Sequence, residues 1–162
     1  MIYITGDKHA DFYEVCCFCK KEKTNISDLM IILGDAGINY FNDPRDYKLK
    51  KELSECNITF FCVHGNHEER PEKIKTYKTK EFHNGIVYYE EEYPNILFAK
   101  DGEVYSLNNK SVLVIGGAYS IDKEYRIKYG YCWYETEQPN ADIKKRVFKA
   151  IKNNNNDIDI VL

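Results

Sequence analysis

Polar and apolar positions are spaced in two different ways along this chain. Met1 to Ile4, Leu29 to Leu33 and Thr59 to Val63 are short, nearly unbroken apolar runs, the pattern of strands buried on both faces. Between the first two, Asp11 to Lys23 places Phe12, Val15, Cys16 and Cys19 at helical spacing. Between the second and third, Pro44 opens a charged helix that reaches about Glu55. The order is βαβαβ, which predicts a parallel sheet covered by helices.

Beyond Arg70 the pattern shortens. Ile86 to Tyr89, Ile96 to Phe98, Glu103 to Leu107 and Ser111 to Ile115 read as antiparallel or edge strands. Pro139 to Lys152 reads as an amphipathic helix and Asn153 to Asn156 as a loop. The final Asp157 to Leu162 enters a new strand and stops, so the expectation is one domain over 1–162 that is incomplete at its C-terminus.

Composition narrows the classes. Hydrophobic residues make up 43% and charged residues 30% of 162, which fits a globular fold. A net charge of -3 gives no general basic surface for nucleic acid. No run is apolar enough to span a bilayer and no leader pattern opens the chain, so the expected location is cytoplasmic. The six cysteines form no framework pattern and are expected as reduced thiols. Cys16 and Cys19, one helical turn apart, lack the second pair that a zinc site needs, and are read as packed thiols.

The chemistry gathers where the three apolar runs end. Each is followed by a glycine-containing loop with potential ligands: Gly6-Asp7-Lys8-His9, Gly34-Asp35 and Gly65-Asn66-His67. Loops at the carboxyl ends of parallel strands face one cleft. Asp7 and His9, two residues apart, can point the same way toward one ion. The carboxylate of Asp35 can bridge two cations, as two-metal hydrolysis requires. Asn66 offers a neutral amide oxygen, and His67 an imidazole that can protonate a departing alkoxide.

Three segments, GDKHAD, LGDAG and HGNHE, resemble in order the N-terminal signatures of calcineurin-like metallophosphoesterases. The resemblance implies an α/β fold, the metallophosphoesterase αββα sandwich, here truncated at its C-terminus. It implies a phosphatase or phosphoesterase that hydrolyses phosphate esters by hydroxide held between two divalent metals, manganese, iron or zinc. By position, Asp7 and His9 would ligate one metal, Asp35 would bridge, Asn66 would ligate the other, and His67 would be the catalytic histidine. The implied substrates are a phosphorylated small molecule, a nucleotide or a phosphoprotein. The alternative is a non-catalytic domain that keeps this fold for binding, and a nuclease is disfavoured by the acidic balance.

The pattern departs in three places. Ala10 stands where the family usually has glycine, and Ala36-Gly37-Ile38-Asn39 replaces the Asp-Arg-Gly stretch of the protein phosphatases. The family's later histidine signatures are missing, since His83 alone follows His67. Weak metal binding and little turnover are therefore expected.

Arg70 and Arg126 are further candidates, as bidentate partners of phosphate oxygens. His64 is read as a strand-end histidine satisfied by backbone groups. Gly116-Gly117-Ala118-Tyr119 follows an apolar strand and reads equally as backbone approaching the site or as a simple turn, and the stretch from Tyr125 to Tyr134 with Trp133 reads as packing.

Overall fold

The three apolar runs become β1 (Ile2–Gly6), β2 (Leu29–Leu33) and β3 (Thr59–Val63), joined by α1 (Tyr13–Glu22) and α2 (Pro44–Ser54). A computed structural model describes all residues, 1–162. Pro44 sits in the first turn of α2, and the Asp43 side chain caps that helix by accepting from the Arg45 N–H. The remaining strands are β4 (Lys78–Phe82), β5 (Gly85–Glu90), β6 (Tyr93–Ala99), β7 (Val104–Leu107), β8 (Lys110–Leu113) and β9 (Ile160–Val161). Two more helices, α3 (Lys123–Tyr129) and α4 (Ala141–Asn153), lie between β8 and β9.

Six strands form one sheet in the order β1-β2-β3-β6-β5-β4, and β7-β8-β9 form a second. β1, β2, β3 and β6 run parallel, while β5 and β4 are antiparallel additions at one edge. This corrects the expectation that Ile96 to Phe98 lies in an antiparallel or edge strand. β6 pairs in parallel with β3 in the middle of the sheet. Ile96, Leu97, Phe98 and Ala99 are all buried, so this run shares the two-faced apolar character of the first three.

Side-chain alternation divides each interior strand between two cores. Met30 and Ile32 of β2, Phe60 and Cys62 of β3, and Ile96 and Phe98 of β6 pack with Phe12 and Val15 of the α1 region and Leu53 of α2. Their alternating neighbours Leu29, Ile31, Phe61, Val63 and Leu97 pack against Tyr105, Val112 and Val114 of the second sheet. One face of the six-stranded sheet therefore carries helices and the other carries the smaller sheet. This is a mixed α/β architecture with two sheets face to face, as the resemblance implied.

β4 and α3 carry no clear periodic signal: β4 is short and polar on its exposed side, and α3 is a seven-residue helix that leaves Tyr125, Ile127 and Tyr129 exposed instead of packed. No helix is long and apolar enough to cross a membrane.

Candidate metal centre

The loops after β1, β2 and β3 are stitched together by their backbones. Asp7 N–H donates to Gly34 O at 3.3 Å, His9 N–H to Asp35 O at 2.8 Å, and Ala10 N–H to Ala36 O at 3.0 Å. The first loop is thereby laid along the second. Asp7, His9 and Ala10 adopt positive φ, as does Asp35, so several non-glycine residues are held in a costly conformation where the candidate ligands stand.

The third loop closes on the second just as tightly. A methyl group at Gly65 would overlap the Asp35 carboxylate and lie 2.8 Å from its Cα, so only glycine permits this approach. The His67 N–H donates to Asp35 Oδ1 at 3.0 Å, and Asp35 Oδ2 stands 3.9 Å from His9 Nε2. The rings of His9 and His67 meet edge to face, with centroids 5.1 Å apart.

His9, Asp35 and His67 bring one donor atom each to within 4.8 Å of one another, and no other histidine, cysteine or carboxylate trio in the chain does so. The imidazole nitrogen of His9 and the carboxylate oxygen of Asp35 suit a divalent transition metal, with the His67 imidazole standing beside them. On the other side of Asp35 a cavity of about 340 Å³ is lined by Asp7, Asp35, Asn66 and His64 among others. Asp35 thus belongs to both groupings. Asp7 and Asn66 line that cavity; the Asp7 carboxylate does not join the tight trio, whereas His67 does.

Asn66 is held by its amide nitrogen, which donates to Ser120 Oγ at 2.9 Å. Ser120 also accepts from Arg126 Nη1 at 3.2 Å, and a second guanidinium nitrogen of Arg126 donates to Cys132 O. Arg126 is buried, yet its charge reaches His67. Burial pushes the His67 imidazole below its ordinary pKa, Arg126 and His9 push the same way, and Asp35 and Asp122 oppose them.

Arg70 corrects the sequence expectation. The residue is 3% exposed, and all three guanidinium nitrogens are engaged within the protein. Nε donates to Thr136 O at 2.7 Å, Nη1 to the Asp101 carboxylate, and Nη2 to Gly116 O at 3.1 Å. Asp101 in turn accepts the Gly116 N–H at 2.7 Å. The residue fastens the segment after β8 to the third loop, and its guanidinium is buried and turned to these partners instead of toward a phosphate.

His64 differs too. It is buried as a strand-end residue, but neither ring nitrogen has a partner, so it is not satisfied by backbone groups. Burial holds its imidazole well below the ordinary pKa.

Two residues that matter here carried little sequence signal. Glu68 lies inside HGNHE and is fully buried, accepting Gly65 N–H at 3.0 Å and Gly37 N–H at 3.2 Å, with its pKa pushed up to about 7 by burial. It ties the second loop to the third. Ser120 lies far along the chain in a polar stretch, and nothing local marks it.

No curated protein matches the chain. A solved structure of a protein of unknown function from Aquifex aeolicus aligns over 99% of this chain and 76% of that one, at 13% identity and a TM-score of 0.44. That likeness is too slight to carry an argument. The model of the family described as Calcineurin-like phosphoesterase matches residues 1–162. The chain belongs to the calcineurin-like phosphoesterase family.

Proposed function

We propose that this protein is a metal-dependent phosphoesterase whose site is centred on Asp35. The family supports phosphate-ester hydrolysis and binding of divalent metals in general. The observation that carries the reading is the position of Asp35, shared between the His9–Asp35–His67 trio and the cavity that Asp7 and Asn66 line. Asp7, His9 and Asp35 would hold one divalent ion, and Asp35 and Asn66 a second, with manganese, iron or zinc suited to these oxygen and nitrogen donors. When bound, such ions lower the pKa of water and neutralise phosphate charge.

The chain's own groups supply the rest. His67 stands beside Asp35 and His9, where its imidazole can give a proton to a departing alkoxide or stabilise charge on a phosphate. Its lowered pKa leaves it largely neutral near pH 7, so the protonated fraction, and the acid role with it, grows as the pH falls. Arg126 supplies positive charge on the same side of the site, and Ser120 fixes Asn66. The substrate class that fits is a phosphorylated small molecule, a nucleotide or a phosphoprotein.

The test is metal content and hydrolysis of an aryl phosphate with added manganese, on the wild-type chain and on Asp35→Asn and His67→Ala. Weak metal uptake with slow turnover that Asp35→Asn abolishes is the expected result. Metal uptake without turnover on any phosphate ester would sink the hydrolytic role and leave a binding domain on the same fold.

A further inference from the structure

Away from the metal centre, two cysteines distant in sequence face each other. Cys16 Sγ lies 2.9 Å from Cys56 Sγ, closer than two unbonded sulfurs normally pack. All six cysteines are free thiols. We infer that Cys16 and Cys56 form an oxidisable pair, which a low-molecular-weight disulfide converts into a cross-link between α1 and the turn that follows α2.

Both partners sit on fixed backbone. Cys16 lies within α1, its N–H bonded to Phe12 O at 2.9 Å. Cys56 lies in the short turn between α2 and β3, where its N–H donates to Leu53 O at 3.0 Å and its carbonyl accepts from Ile58 N–H at 2.9 Å. The Asn95 amide of β6 bonds the carbonyls of Leu53, Cys56 and Ile58 together. The sulfurs therefore meet because two packed elements deliver them, which is the condition for closing a disulfide with little movement. Both are partly exposed and lie beside a surface cavity of about 380 Å³ lined by Lys20 and Glu52, so a small oxidant has access.

A metal is the competing use of such thiols. Cys19 lines the same cavity, but the three sulfurs do not converge, since the single three-donor cluster in the chain is His9, Asp35 and His67. A pair of thiols with no third donor suits a disulfide.

The chemistry balances as thiol–disulfide exchange. The thiolate of one cysteine attacks a sulfur of the small disulfide, breaking its S–S bond and releasing one small thiol as a mixed disulfide forms. The second cysteine then displaces the other half, forming Cys16–Cys56 and a second small thiol. Both protein sulfurs are oxidised, the small disulfide is reduced, and the two cysteine protons end on the two released thiols. Burial and the adjoining Cys16 push the Cys56 thiol up to about 12, so attack by Cys56 itself is disfavoured at neutral pH and gains in alkali.

The experiment equilibrates the full chain with oxidised glutathione, then counts thiols in denaturant and measures intact mass. The expected result is the loss of two of six thiols and of two hydrogen atoms. Cys17→Ser should still lose two hydrogen atoms with no added mass, whereas Cys16→Ser and Cys56→Ser should form no internal bond, so that any thiol they lose appears as a glutathione adduct in the intact mass. A tryptic map of the wild type, fragmented to place the bond between 9–20 and 52–73, covers a variant that fails to fold. A wild type that keeps all six thiols, a bond mapped to Cys19 or Cys62, or a Cys16→Ser variant that still loses two hydrogen atoms without a glutathione adduct would overturn the pair.

Discussion

One carboxylate oxygen of Asp35 accepts the backbone N–H of His67 at 3.0 Å, so the second and third loops share a single anchor. The other oxygen faces His9 Nε2 at 3.9 Å. A side chain placed between two loops and two imidazoles cannot be changed without moving the donors around it. Asp35→Asn keeps the shape and removes the charge. Manganese affinity, followed by calorimetric titration, should fall by about 100-fold or more, and an unchanged affinity would show that Asp35 is no ligand.

Gly65 is the steric counterpart of that contact. Its φ is ordinary, so the constraint is the approach to Asp35 alone. Gly65→Ala should cost about 3 kcal/mol, the upper end of overpacking penalties, because the obstacle is backbone and a pinned carboxylate. Urea unfolding checks this, and a variant of wild-type stability would mean that the two loops separate freely.

Arg70 and Asp101 form a buried ion pair, with both side chains 4% exposed. Arg70→Met leaves Asp101 buried with its charge uncompensated, and burial already pushes that carboxyl up. A loss of about 3–5 kcal/mol is expected on urea unfolding. A variant of unchanged stability with weakened phosphate binding would restore Arg70 to the substrate site.

Acid should loosen the link between β8 and β9. Asp159 accepts from Lys110 Nζ and from the Ser111 N–H and hydroxyl, which hold its pKa down at about 2 against an ordinary 3.8. Between those values the unfolded chain binds the proton first, so stability rises with pH through the window. The contribution is present above about pH 4 and lost as the pH falls toward 2. Asp159→Asn should flatten that part of a plot of melting temperature against pH, and an unchanged slope would remove Asp159 as its cause.

Much of the architecture was legible because it is written locally. β2 and β3 appear within their expected bounds, and the loops after β1, β2 and β3 converge as a parallel sheet requires. Apolar runs with glycine and carboxylate at their ends state both a buried strand and an exposed turn. Pro44 likewise announced the start of α2. Asp35 could be singled out because a carboxylate at a strand end, flanked by two other such loops, has one direction to face.

Long-range neighbours had to be found in the folded chain. β6 was misplaced because a strand does not record its partner, and parallel pairing with β3 follows from the crossover that returns it to the sheet. Arg70 looked like a free cation until Asp101, Gly116 and Thr136 arrived from three later segments to surround it. Ser120 holds Asn66 across a separation of 54 residues, and Cys56 reaches Cys16 across 40. Residue type and spacing set which groups can ligate, pack or turn. Burial and partnership depend on which distant segments the two cores bring together, and that is a property of the packed whole.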